Sequence, residues 1–198
     1  IAGLIGWSGT NHQQLQIIEN MQASLKHRGP DSRGTWISKE DKITFIHTRL
    51  SILDLSKIGH QPMHSSCGRY IITFNGEIYN HLELRNLLKS YNQKIHWKGS
   101  SDTETIVECF SILGIDKTLS LLRGMFSFSV YDRKNKKIFL IRDRYGEKPL
   151  YFLKLENNIF AFASEISSFS QIPTFSPSID LNGMACFFQR GYIAAPLS

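Results

Sequence analysis

The stretch from Arg69 to Leu88 constrains the fold most, because its hydrophobic period changes in mid-course. Arg69-Tyr70-Ile71-Ile72-Thr73-Phe74 is rich in β-branched and aromatic residues, the composition of a strand half or wholly buried in a sheet. Asn75-Gly76 follows, a pair that takes positive φ readily, so the strand is expected to end there and turn its amide and backbone N–H groups outward. Downstream, Leu82, Leu84, Leu87 and Leu88 fall close to helical spacing, with Asn80 expected as the N-cap. Strand, turn and helix in this order need a sheet with a helix layer against it. The turn itself is either an ordinary connection or a cluster of donors able to hold an anion.

The rest of the chain supplies more strands. Ile1 to Gly9 is apolar and punctuated by glycine, and reads as a strand whose backbone neighbours approach closely. Asn11 to Lys26 has a helical spacing of Leu15, Ile18, Met21, Ala23 and Leu25, with Asn11 as the expected cap. His27 to Gly34 is dense in Gly, Pro and charge and predicts a loop. Thr35 to Ser38 and Ile43 to His47 predict two strands around a polar turn, and lead to Arg49 at the edge of an apolar stretch. That arginine is either a surface residue with a packed stem or a planar fork for a carboxylate.

Further on, Lys94 to Lys98 predicts a short strand, and Ser101 or Asp102 is placed to cap a helix running to Leu113. Capping is one role for Asp102; receiving an ammonium is the other. Phe126, Phe128 and Val130 alternate with Ser127, Ser129 and Tyr131 before Ile138 to Ile141, which predicts a hairpin. Leu150 to Leu155 and Ile159 to Ala163 predict a second. A short helical piece opens at Ser164-Glu165-Ile166, and Asp180 to Arg190 predicts another helix.

Composition narrows the function. With 198 residues, 41% hydrophobic and 12% aromatic, the chain has enough apolar material for one substantial core. The absence of an apolar run near the roughly 18 residues of a membrane span, and of a signal-like start, points to a cytoplasmic protein without a membrane partner. A net charge of +6 invites a nucleic-acid reading, but the positive residues are scattered. Their densest cluster, Arg133 to Lys137, falls in an expected hairpin turn, and no nucleic-acid-binding motif accompanies it. Cys67, Cys109 and Cys186 are odd in number and far apart, which argues against a disulfide framework or a zinc site. Pro62 between His60 and His64 argues against a helical metal pair.

Eight motifs, taken together, carry a resemblance. Ile-Ala-Gly at the start, His-Arg-Gly-Pro-Asp at 27–31, Thr-Arg-Leu-Ser-Ile at 48–52 and Gln-Pro-Met at 61–63 are followed by Asn-Gly-Glu-Ile-Tyr-Asn at 75–80. Ser-Asp-Thr-Glu at 101–104, Gly-Met-Phe at 124–126 and Arg-Asp-Arg-Tyr-Gly-Glu-Lys-Pro-Leu-Tyr at 142–151 complete the series. In order and spacing this resembles the N-terminal glutaminase domain of asparagine synthetase-type class II glutamine amidotransferases.

The resemblance implies an α+β, N-terminal nucleophile (Ntn) hydrolase fold, a four-layer αββα sandwich with two antiparallel sheets. Residues 1–169 would form the glutaminase domain and 170–198 an extension toward a synthetase domain. L-Glutamine would be hydrolysed to glutamate and ammonia by an N-terminal cysteine two places before Ile1. The sequence begins without Met, and such residues are expected to precede it. Arg49 would bind the substrate α-carboxylate, with help from the backbone of Leu50, Ser51, Ile52 and Leu53. Asp102 and Glu77 would hold the α-ammonium, and Asn75 with the Gly76 N–H would form the oxyanion hole. No cofactor is implied in this domain; ATP and Mg are expected in a C-terminal synthetase domain of the same polypeptide, and homodimerisation is a further expectation. The other reading is a non-catalytic binding domain without the nucleophile, like relatives resembling β-lactam synthetase.

Overall fold

The computed structural model describes residues 1–7, 9–51, 56–91, 95–194 and 197. The first sheet has five antiparallel strands in the order β2-β3-β1-β9-β8, formed by β1 (Ala2–Ile5), β2 (Ser32–Ser38), β3 (Ile43–Arg49), β8 (Tyr151–Lys154) and β9 (Phe160–Ala163). The second has four in the order β4-β5-β6-β7, from β4 (Met63–His64), β5 (Tyr70–Ile78), β6 (Gly124–Asp132) and β7 (Lys137–Arg142). Helix α1 (Asn11–Ser24) covers the outside of the first sheet. Helices α2 (His81–Ser90), α3 (Asp102–Leu113) and α4 (Ile115–Leu121) pack on the outside of the second, and α5 (Leu181–Arg190) follows near the end.

The period-2 alternation decides which face goes where. In β5, Tyr70, Ile72 and Phe74 face the helices and join Phe126, Phe128, Leu84, Ile106 and Phe110 in one core. In β1, Ala2 and Leu4 face α1 and meet Ile17, Ile18 and Met21 in a second. Between the sheets lies a third, made of Ile1, Ile43, Phe45, Ile71, Tyr131 and Phe162. The central strands of each sheet are thus buried on both faces, giving the αββα sandwich of the Ntn fold. Gly3 of β1 acts as expected: a Cβ there would occupy the place of the Phe162 ring, which packs edge-on against Phe45 at 5.7 Å. Both expected hairpins form, and Asp180 caps α5 through the Asn182 N–H. Ile172 and Phe175 still pack on the α1 side, whereas α5 buries only Gly183.

Several local expectations are corrected. Asn75-Gly76 is not a turn. β5 runs on to Ile78, because β6 pairs with it along its whole length, from Tyr70↔Asp132 to Ile78↔Gly124. Gly76 is needed for another reason: its φ is +154°, and a Cβ there would collide with the Met125 carbonyl oxygen. Asn80 stands at the N-cap of α2 without capping it. Its amide instead donates to the Leu121 carbonyl at 3.0 Å and accepts from the Arg123 N–H at 3.0 Å. Thr10, not Asn11, caps α1, in a capping box with Gln13. β1 ends at Ile5, where Gly6 turns with φ +78°, and β2 begins earlier than expected, at Ser32, paired to Arg49. Residues 95–98 form no strand, since the Lys98 and Gly99 N–H groups are taken by the Glu104 carboxylate; Lys94 lies outside the described residues.

Candidate active site

At one end of the sandwich the sheets part around a cavity of about 290 Å³. Arg49 and Leu50 at the end of β3, Asn75, Gly76 and Glu77 in β5, Ser101 to Thr103 at the start of α3, and Met125 in β6 are among the residues that line it. Arg49, Leu50, Asn75, Gly76, Glu77 and Asp102 are thereby brought together. Ser51 stands next to them with its N–H bound to Asp31 Oδ2 at 2.7 Å; Ile52 and Leu53 lie outside the described residues.

The β5 edge facing away from β6 explains how donors come to point into this space. Strand alternation puts the N–H groups of Tyr70, Phe74, Gly76 and Ile78 on that edge. β4 pairs with β5 only at Ile71 and Ile72, so beyond it side chains take over. The Tyr70 N–H goes to Ser65 Oγ at 3.0 Å, that of Phe74 to Gln61 Oε1 at 2.6 Å, and that of Ile78 to Asp102 Oδ2 at 2.9 Å. The Gly76 N–H lies between the last two, at the cavity wall. Beside it the Asn75 Nδ2 is buried and has no partner among the described residues. Two neutral donors side by side suit an oxygen that gains negative charge.

The carboxylates differ in setting. Asp102 is 5% exposed; burial raises its carboxyl above the ordinary range, while the Ile78 and Thr103 N–H groups act the other way. It stands at the first turn of α3, where the helix N-terminus favours negative charge. Glu77, the next residue of β5, also lines the cavity and is half-buried. Arg49 ends β3 and donates from Nη1 to the Ser56 carbonyl at 2.8 Å.

The cavity also contains residues to which the sequence reading assigned no role. Arg28 lines it and bonds Glu165 at 2.9 Å, an acceptor it shares with His27. Glu165 follows Ser164, whose Oγ accepts from the buried Ile1 nitrogen at 3.1 Å. His47 is 6% exposed, and burial pushes its imidazole down to about 3, so the ring is neutral. Its Nε2 lies 3.1 Å from the Phe74 carbonyl oxygen and must therefore carry the proton. Lys148 reaches the same space from the 142–151 motif. Asp143 organises that motif by accepting the N–H groups of Phe126, Tyr145, Glu147 and Lys148 at 3.0–3.2 Å. Membership of the motifs was the available signal for Arg28, Gln61 and Lys148; their orientation was not readable. No group of three His, Cys, Asp or Glu among the described residues is arranged to hold a metal ion.

Comparison with known proteins identifies the family. The model of the glutamine amidotransferase domain matches residues 1–198. The chain is 35% identical to a putative glutamine-hydrolysing asparagine synthetase 2 of Methanocaldococcus jannaschii, over 91% of this chain and 37% of that protein. It is 37% identical to glutamine-hydrolysing asparagine synthetase 2 of Bacillus subtilis, over 87% of this chain and 22% of the relative. To amidase chry2 of Gibberella zeae it is 36% identical, over 80% of this chain and 23% of that one. It thus spans well under half the length of these relatives. Among solved structures, the glutamine phosphoribosylpyrophosphate amidotransferase of B. subtilis superimposes with a TM-score of 0.69 at 20% identity, covering 85% of this chain and 42% of that one, a likeness of fold. Motifs, sandwich and matches agree, and the chain belongs to the glutamine amidotransferase domain family, in its class II, asparagine synthetase-type branch.

Proposed function

We propose that this domain hydrolyses L-glutamine to glutamate and ammonia. The observation that carries the reading is the juxtaposition, in one cavity, of an arginine, two carboxylates and a pair of neutral donors. Arg49 meets the substrate α-carboxylate, alongside the Leu50–Leu53 backbone. Asp102 and Glu77 take the α-ammonium, whose charge would favour ionised Asp102 despite its burial. The side-chain carboxamide then extends toward Asn75 and Gly76.

The nucleophile is a cysteine two places before Ile1. The register supports this position: Ala2 pairs with Ile46 in β3, so continuing β1 by two residues before Ile1 brings the chain opposite Arg49. Alternation puts that residue on the face of Ile1, which points between the sheets. Its thiolate would attack the carboxamide carbon, the carbonyl oxygen becoming an oxyanion held by Asn75 Nδ2 and the Gly76 N–H. The free α-amine of the same cysteine would relay the thiol proton to the leaving ammonia. Water then cleaves the thioester and releases glutamate.

Ammonia would pass to an ATP- and Mg-dependent synthetase domain of the same polypeptide, reached through residues 170–198, which amidates aspartate or another acid. The exposed apolar side chains of α5, among them Leu181, Phe187 and Phe188, support an extension that continues into further structure. Homodimerisation of the whole protein belongs to the same proposal. N-terminal sequencing of the natural protein and an ammonia-release assay test the reading. A Cys-Gly start with glutamine-dependent release is expected; a different start, or no release from a proven Cys-Gly start, refutes it.

A further inference from the structure

Past Ile72, no strand among the described residues pairs with the outer edge of β5. Phe74, the residue immediately before the donor pair, is nevertheless held through both of its backbone polar groups. Its N–H donates to Gln61 Oε1 at 2.6 Å, and its carbonyl accepts from His47 Nε2 at 3.1 Å. The two side chains come from different bodies: His47 from β3 of the opposite sheet, Gln61 from the loop before β4. Both are buried, at 6% and 7% exposed. Neither can shift freely. Gln61 Nε2 donates to Thr103 Oγ1 at 3.2 Å, beside Asp102, and the Gln61 main chain is pressed against β2 so closely that a Cβ on Gly34 would land on its carbonyl oxygen.

We propose that Gln61 and His47 are positioning residues for the Asn75–Gly76 donors, replacing by two side-chain bonds the strand pairing that β4 stops providing. The physical need is geometric. An ordinary neighbouring strand at this edge would take the Gly76 N–H for its own ladder, whereas single side chains hold Phe74 and leave the next donor on that edge for a ligand. Donors that stabilise a transient charge must sit within about 0.5 Å of their working position. Gln61 has a second consequence: through Thr103 it ties the donor pair to the start of α3, so that the two ends of the cavity keep a set separation.

The inference rests on the glutaminase reading, and the test separates the two. In the full-length natural protein, His47→Phe and Gln61→Met remove the bonds to Phe74 at nearly constant volume. Their kcat for ammonia release is expected to fall about 10- to 100-fold with the glutamine KM within about twofold, since an interaction made only in the transition state does not strengthen substrate binding. His47→Gln, which still presents an N–H, is expected to recover most of the loss. A kcat within about threefold of wild type, or a KM that rises as far as kcat falls, overturns the proposal. Thr103→Val, which removes only the outer anchor of Gln61, extends the test should a buried substitution prevent folding; a several-fold fall in kcat at constant KM is its expected result, and an unchanged kcat counts against the proposal.

Hydrogen exchange read by mass spectrometry supplies an arm independent of activity. Peptides spanning residues 70–80 are expected to exchange faster in His47→Phe and Gln61→Met, with the rest of the chain unaltered. Wild-type exchange in that stretch overturns the proposal. A wild-type protein that releases no ammonia refutes the glutaminase reading instead, and the exchange arm still decides whether the two side chains hold Phe74.

Discussion

Arg49 illustrates how far a residue can be read on its own. Its place at the edge of an apolar stretch leaves two roles open, a packed surface arginine or a carboxylate fork; the fold puts it in the cavity wall, with Nη1 on the Ser56 carbonyl. Arg49→Lys keeps the charge but loses the planar fork. In the full-length protein we expect the glutamine KM to rise about 10- to 100-fold, the equivalent of one or two charge-assisted hydrogen bonds, with kcat changing much less. Steady-state ammonia release checks this, and an unchanged KM would leave Arg49 the lesser task of bracing the loop at Ser56. Gly76 teaches a different lesson. Its importance was visible in the sequence, but the reason was not: glycine stands there because the β6 backbone at Met125 comes too close for a side chain, a long-range contact that Asn-Gly taken alone imitates as a turn.

At the scale of elements, α3 is the device that delivers Asp102. Ser101 caps it, with Oγ accepting the Glu104 N–H at 3.2 Å, as the small-residue turn before the helix predicts. What holds the approaching segment was not predictable, because it arrives from α2. Arg85 donates to Thr105 Oγ1 at 2.8 Å and to the carbonyls of Gly99 and Ser101 at 2.9 and 3.0 Å, and its guanidinium lies 4.0 Å from the centre of the Trp97 ring. The Glu104 carboxylate, 3.4 Å from Arg85, takes the Lys98 and Gly99 N–H groups. Arg85→Ala would take the cation from the buried Glu104 carboxylate and the guanidinium donors from the Gly99 and Ser101 carbonyls, and is expected to cost about 3 kcal/mol in urea unfolding. Because the loosened segment leads into Asp102, the glutamine KM should rise as well. Lost stability with an unaltered KM would mean that Asp102 is placed by its own bonds to the Ile78 and Thr103 N–H groups alone.

For the molecule as a whole, the acid limit of stability gives a direct reading of the 142–151 turn. Burial alone would raise the Asp143 carboxyl, but the four N–H groups it accepts hold it down at about 2, against about 3.9 in the unfolded chain. A depressed carboxyl stabilises the fold fully above about pH 4, and that contribution disappears as the pH falls toward 2. Asp143→Asn should therefore lower the unfolding free energy at pH 7 by about 2–3 kcal/mol and remove that part of the acid-side slope; denaturant titrations at pH 7 and pH 3 check both. The sequence by itself determined the hairpins, the helices on Leu and Ile spacing, and the membership of the family, because alternation, capping chemistry and motif order are local properties of the chain. Only the tertiary structure decided that β5 runs straight through Asn75-Gly76, that Asn80 ties α2 to the segment before β6 and leaves the helix uncapped, and that Gln61, His47 and Asp102 distribute the free edge of β5 so as to leave the Gly76 N–H facing the cavity. Those outcomes depend on which backbone groups meet across tens of residues, and a single strand cannot encode the partner that its edge will find.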